Sequence, residues 1–172
     1  LGVEFLRRIG IRPGHTIVDF GTRIGHYALP AARLVGPEGR VYAVDHDPAA
    51  VRRLRRRAAG LELHHLTVLQ TAGECTLELE DSSVDAFLLY DVLHMMPAET
   101  RRCLYREAAR LLKDRAFLSV YPKHVADDHA ARFFQDLQAQ DVAREVCASG
   151  FELRDQLHGR ISHDEGLVQG CV

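Results

Sequence analysis

The feature that most constrains this chain is a turn. Residues 15–20, His-Thr-Ile-Val-Asp-Phe, read as an apolar strand entered through the turn signal Arg12-Pro13-Gly14. Gly21-Thr22-Arg23-Ile24-Gly25 follows at once, and a run of small and apolar residues then predicts a helix over 25–35. A strand that passes into a helix through two glycines brings backbone amides to the carboxyl edge of a sheet, where open α/β folds bind their ligands. Glycine permits the close approach and the positive φ that such a turn demands. Pro30 lies inside the predicted helix, where it should remove a hydrogen bond or produce a kink.

The same alternation continues along the chain. Strands are predicted at 41–45, 66–71, 84–90 and 116–121. The run 84–90 is almost wholly apolar, as befits a central strand covered on both faces. Asp47-Pro48 opens a helix, with Asp as N-cap and Pro at the first helical position, and Val51, Leu54 and Ala58 recur on its inner side. Pro97 starts another helix, with Leu104, Ala108 and Leu111 buried. A helical region over 127–149, with a break at 138–141, ends at Gly150 as C-cap. Two last strands, 151–157 and 166–172, are spaced to pair as a hairpin. Strands alternating with helices imply right-handed crossovers and a parallel sheet. The expected fold is a doubly wound, Rossmann-like α/β domain over residues 1–172. Its seven-stranded, mostly parallel sheet carries helices on both faces and the antiparallel hairpin at its edge.

Composition narrows the function. With 47% hydrophobic residues and 27% charged, the chain has the material for a core, which excludes disorder as its main state. Lys and Arg number 22 against 24 Asp and Glu, a balance that argues against general binding to nucleic acid or acidic membranes. No apolar run reaches spanning length and no secretory signal is visible. Leu1 in place of Met leaves room for a preceding segment. Cys75, Cys103, Cys147 and Cys171 are widely spaced, which favours free thiols in a reducing cytoplasm over a disulfide or zinc framework.

The turn is neither a dinucleotide fingerprint, since Gly21 and Gly25 do not fit G-x-G-x-x-G, nor a P-loop, since no Gly-Lys-Ser/Thr follows. An acid stands two residues before Gly21. Asp19-Phe20-Gly21-Thr22-Arg23-Ile24-Gly25 resembles the first motif of the class I S-adenosylmethionine-dependent methyltransferases, an acid and an apolar residue before G-x-G-x-G. Arg23 replaces the middle glycine. Asp45 closes the second strand, Ala72-Gly73-Glu74-Cys75 follows the third, and 84–94 resembles the fourth strand and its "vLHH" segment. Leu111-Leu112-Lys113 and Ser149-Gly150-Phe151 also match in place, although Asp114-Arg115 stands where a Pro-Gly-Gly turn is usual. The resemblance spans nearly the whole chain and is closest to small methyltransferases of the ubiquinone and menaquinone biosynthesis type.

That resemblance implies S-adenosylmethionine as cofactor and S-adenosylhomocysteine as product, with a small molecule as methyl acceptor. It assigns cofactor contacts to Asp19, Gly21, Thr22 and Gly25, the ribose diol to Asp45, the adenine to His46 and Glu74, and neighbouring contacts to Cys75 and Tyr90. His94 is the candidate base by its place after the fourth strand, beside Asp91. A metal is not expected: His124, Asp127, Asp128 and His129 form a cluster, but an N-cap is the simpler role for either aspartate. Residues 123–140, with Phe133, Phe134 and Leu137, are either a lid over the acceptor or a helix packed on the sheet. Arg52, Arg53, Arg55, Arg56 and Arg57 crowd one helix, and a solvated outer face accounts for them better than an RNA anchor.

Arg23 opens two outcomes. Its side chain turns outward or meets a carboxylate of the ligand, or else it fills the cofactor's space or demands an unfavourable φ. Retained binding is favoured because Asp19, Gly21, Gly25 and Asp45 are all present. Two other functions stay open: a methyltransferase-like binding or regulatory protein without catalysis, and a methyltransferase acting on RNA or protein. A homodimer is compatible with either.

Overall fold

A computed structural model describes residues 2–122, 137–163 and 166–171 of the chain, with side chains up to residue 157. A short helix α1 (Gly2–Arg8) precedes β1 (Thr16–Phe20), which leads through the glycine turn into α2 (Ala28–Val35). Then come β2 (Arg40–Asp45), α3 (Pro48–Gly60), β3 (Leu66–Gln70) and β4 (Val84–Tyr90). A single 3-10 turn (Leu93–Met95), α4 (Ala98–Leu111), β5 (Leu112–Tyr121) and α5 (Ala139–Cys147) follow. The described chain ends in β6 (His158–His163) and β7 (Gly166–Cys171).

Five strands form a parallel sheet in the order β3-β2-β1-β4-β5. The chain winds outward from β1 to β3, then crosses back to β4. The strand order therefore reverses between β1 and β4, and a crevice opens at their carboxyl ends. Alternate strand residues feed two cores. Ile17, Val41, Ala43, Ala86 and Leu88 pack beneath α1, α2 and α3, while Val18, Val44, Phe87 and Leu89 pack against Leu104, Tyr105, Ala108 and Leu111 of α4. Helices thus cover both faces, and β4 is buried as its composition predicts.

Local signals explain most boundaries. Asp47 caps α3 by accepting the Ala49 amide at 2.8 Å, with Pro48 at the first position, and Val51, Leu54 and Ala58 are buried. All five arginines of α3 are exposed; Arg55 donates to the Val68 carbonyl and Arg57 to that of Ile24. Pro30 neither kinks nor weakens its helix. The helix starts at Ala28, so Pro30 falls in the first turn, where no intrahelical acceptor exists for an N–H. β5 begins four residues earlier than expected. A bulge absorbs the extra length: Leu112 pairs with Val84 and Phe117 with Ala86, with Arg115 at φ 65° between them.

Two expectations are corrected in the C-terminal third. The helix α5 ends at Cys147 with Ala148, not Gly150, as C-cap, while Gln138 and Asp141 form a capping box at its start. Residues 123–136, with the cluster at 124–129 and the stripe of Phe133 and Phe134, lie outside the described residues. The single seven-stranded sheet is replaced by five strands and a separate two-stranded one. Residues 151–157 form no strand, and β6 and β7 pair antiparallel with each other alone. Glu152, Leu153, Arg154, Asp155 and Gln156 are all exposed, and Asp155 interrupts the apolar alternation a sixth strand would need.

α5 is tied to the body by charge. The buried Arg101 guanidinium grips the Glu145 carboxylate through Nε, at 2.8 Å, and Nη2, while Nη1 donates to the Met96 carbonyl at 2.8 Å. Removing one partner of a buried pair strands the other charge. Arg101→Ala should therefore cost about 3 kcal/mol in urea denaturation. Arg101→Met with Glu145→Leu should recover most of that loss.

Candidate functional site

The crevice at the switch in strand order is built around two acids at adjacent strand ends. Asp19 is the penultimate residue of β1 and is 2% exposed; Asp45 closes β2 and is 5% exposed. The turn between β1 and α2 runs across them. Gly21 and Thr22 both donate their amides to the Val44 carbonyl, at 2.9 and 3.0 Å, which anchors the turn to β2. Gly21 (φ 82°) and Gly25 (φ 84°) occupy left-handed backbone. Space is also short at both, more rigidly so at Gly21. A Cβ on Gly21 would stand 2.7 Å from Val92 Cγ2, and one on Gly25 would stand 2.5 Å from Leu54 Cδ1.

Arg23 adopts the left-handed conformation its position demands, at φ 48°. Its side chain is exposed. Its amide donates to Asp45 Oδ2 at 2.6 Å, and the Asp47 amide donates to Asp45 Oδ1 at 2.9 Å. The Asp45 carboxylate therefore bridges the turns after β1 and β2. A carboxylate offers about four acceptor sites, so two remain after these bonds. His46 lies next to it, its side chain 80% exposed and its Nδ1 3.7 Å from Asp45 Oδ1.

Asp19 accepts the Thr22 hydroxyl at 2.7 Å. Burial raises its carboxyl to about 6, against the pull of bonds from Thr22 and the Ala28 amide and with added repulsion from Asp45. A carboxylate this poorly solvated favours a cationic neighbour.

Above Asp19 lies an aromatic wall. Tyr27 and Tyr90 meet edge to face with ring centroids 4.5 Å apart, and Phe5 of α1 packs on both. The Tyr90 hydroxyl shares a 2.6 Å hydrogen bond with Ser119 Oγ. Burial pushes both phenols up, so they remain neutral hydrogen-bonding groups. Tyr27 was not singled out in the sequence because residues 25–35 read as helix throughout; α2 in fact starts after it.

The remaining predicted residues are spread along the same edge. Glu74 is exposed and accepts the Ala72 amide at 2.6 Å. Its loop is held by α4, where Glu107 accepts the Leu77 amide at 2.7 Å and Arg110 donates to the Leu77 and Leu79 carbonyls. The Cys75 thiol turns away toward α4, reaching the Thr100 carbonyl at 3.6 Å, and burial beside Cys103 pushes it up to about 11. His94 sits in the 3-10 turn after β4 with Nδ1 3.4 Å from Asp91 Oδ1. Among the described residues, no three His, Cys, Asp or Glu side chains group to hold a metal, and no helix is long and apolar enough to cross a membrane.

A family model described as a methyltransferase domain matches residues 17–115. The chain is 29% identical over 126 residues to a carboxy-S-adenosyl-L-methionine synthase of Dichelobacter nodosus, covering 73% of this chain and 52% of that protein. It is 31% identical over 127 residues to a 2-phytyl-1,4-naphtoquinone methyltransferase of Trichormus variabilis, covering 73% and 54%. It thus spans about half the length of these curated relatives. In three dimensions it resembles a SAM-dependent methyltransferase from Aquifex aeolicus, with a TM-score of 0.73, 22% identity, and coverage of 99% of this chain and 88% of that one.

The environment of Asp19 makes a prediction about stability. Its folded value, about 6, lies above the ordinary 3.8, so the folded chain holds this proton more tightly than the unfolded one. The resulting stabilisation is complete below about pH 4 and is lost as pH rises through 6; above that, the buried charge costs about 3 kcal/mol. Asp19→Asn should raise the urea midpoint relative to the parent at pH 8. That advantage should vanish at pH 4.

Proposed function

The chain belongs to the methyltransferase-domain family, and on that premise we propose that it transfers a methyl group from S-adenosylmethionine to a small-molecule acceptor. The observation that carries this reading is the pair of acids, Asp19 and Asp45, set on either side of the Gly21–Gly25 turn where the strand order reverses. The donor, when bound, supplies a methyl group activated on a sulfonium.

The residues present fit such a donor. Asp45 retains acceptor capacity for a ribose diol beyond its two backbone bonds. Asp19, desolvated and raised to about 6, suits the positive charge of the methionine moiety. Thr22 orients Asp19, and the turn formed by Gly21 and Gly25 keeps backbone close to the ligand path. Glu74 and His46, in the loops after β3 and β2, are the candidates for an adenine amino group and ring, and Tyr27 and Tyr90 form an aromatic wall near Asp19. Cys75 contributes through its backbone, since its thiol faces α4. His94 serves as base for an acceptor that must lose a proton. The small-molecule class draws support from relatives whose names carry a quinone or S-adenosylmethionine itself.

One observation favours a second reading, a binding protein without catalysis: the bulky, charged Arg23 side chain stands in the turn between Gly21 and Gly25. Against it, the Arg23 side chain is exposed and its φ of 48° is the conformation a glycine would supply.

A thermal-shift titration decides between them. At a hundredfold excess over Kd, either S-adenosylmethionine or S-adenosylhomocysteine should stabilise the parent by about 2.7 kcal/mol, a rise of about 5–11 °C. Asp45→Ala should abolish the rise. A flat parent whose response is restored by Arg23→Gly would favour the second reading.

A further inference from the structure

The first and second strands leave the crevice with acids; the fourth leaves it with an acid and a histidine. Asp91 immediately follows β4, in the left-handed region at φ 55°, a conformation that aspartate and asparagine tolerate better than most residues. Its amide donates to the Tyr121 carbonyl at 3.2 Å, which fixes this backbone to the end of β5. Three residues on, the 3-10 turn brings His94 back over it. Asp91 Oδ1 and His94 Nδ1 are both buried and lie 3.4 Å apart. The side chains are 22% and 12% exposed, so water screens the pair poorly.

A buried carboxylate facing one ring nitrogen selects the tautomer of a neutral imidazole. With the proton on Nδ1, toward Asp91, the lone pair would reside on Nε2. Such a ring can accept a proton at Nε2, and the carboxylate stabilises the imidazolium that results.

We propose that Asp91 is a positioning residue that holds His94 in the Nδ1–H tautomer, and that the pair serves an acceptor whose reacting atom bears a proton: a hydroxyl, a thiol or an acidic carbon, rather than a neutral amine. The inference rests on the methyl-transfer reading above. An amine attacks through a lone pair it already has, and its proton can leave to water afterwards. A hydroxyl, thiol or acidic carbon must give up its proton as the new bond forms. In the transfer, the bond from the acceptor atom to the methyl carbon forms and the carbon–sulfur bond breaks. The sulfonium's positive charge is cancelled as that electron pair passes to sulfur, and the acceptor's proton passes to His94 Nε2.

Nitrogen-15 NMR of the ¹⁵N-labelled full chain tests the pair without turnover, with the His94 ring assigned by its loss in His94→Gln. In the parent at neutral pH the Nδ1–H tautomer is expected. Asp91→Asn tolerates the same backbone angle, and its side-chain amide can donate to Nδ1, so the tautomer should invert to Nε2–H. An Nε2–H tautomer in the parent, or an Nδ1–H tautomer unchanged in a folded Asp91→Asn, would overturn the proposal. Asp91→Ala guards against a misfolded amide variant; there the preference for Nδ1–H should be lost, and its full retention would also overturn the proposal. Calorimetric titration of the parent with S-adenosylhomocysteine tests the donor separately. Failure to bind would overturn the methyl-transfer reading and the acceptor class with it, while the tautomer still decides whether Asp91 positions His94.

Discussion

Two backbone amides converge on one carboxylate, and the shape of the crevice follows from that convergence. Arg23 and Asp47 lie in different turns, after β1 and after β2, and each donates to a different oxygen of Asp45. Parallel strands fix the spacing of their own ends, but they do not fix the loops beyond those ends. Asp45 does so here with bonds to charge, which are worth more than neutral ones and are screened little when the carboxylate is 5% exposed. The same turn is held from below by the Val44 carbonyl, which accepts the amides of Gly21 and Thr22. The loop most exposed to ligand is therefore among the most constrained parts of the molecule.

Much of this was legible from residue order. The strands β1, β2, β3 and β4 and the helices α3 and α4 announced themselves through apolar periodicity and through Asp47-Pro48 and Pro97, because those signals act within a few residues. The acids Asp19 and Asp45 were legible for the same reason: each lies at or next to the end of an apolar strand, and parallel strands bring such ends to one edge. What was not legible depended on competition between distant segments. Whether residues 151–157 join a sheet depends on the edge of β5, and five of those residues are exposed. The bulge opposite Val84 and Ala86 depends on register, which composition does not encode. Cys75 and Cys103 look scattered along the chain, yet the loop after β3 folds back on α4 and brings them into contact.

The two faces of the sheet divide the labour. Beneath α1, α2 and α3 the core is aliphatic with an aromatic end formed by Phe5, Tyr27 and Tyr90, which walls the crevice near Asp19. On the α4 side, Glu107 and Arg110 hold the loop that carries Glu74, and Arg101 holds α5 through Glu145. Polar side chains of α4 thus position both the loop after β3 and the helix α5.

The glycines of the turn have a bearing on how such a chain can change over generations. Gly21 is closed in by Val92, and both Gly21 and Gly25 hold left-handed backbone, so the protein's own fold favours glycine at both before any ligand is considered. A descendant that lost its chemistry would still be favoured to keep them, and their survival is no witness to catalysis. The residue between them is under a different rule. Arg23 needs a backbone that can reach φ 48° and an amide for Asp45, and its side chain is exposed. That position can change its side chain without disturbing the turn, provided the backbone angle and the amide are kept.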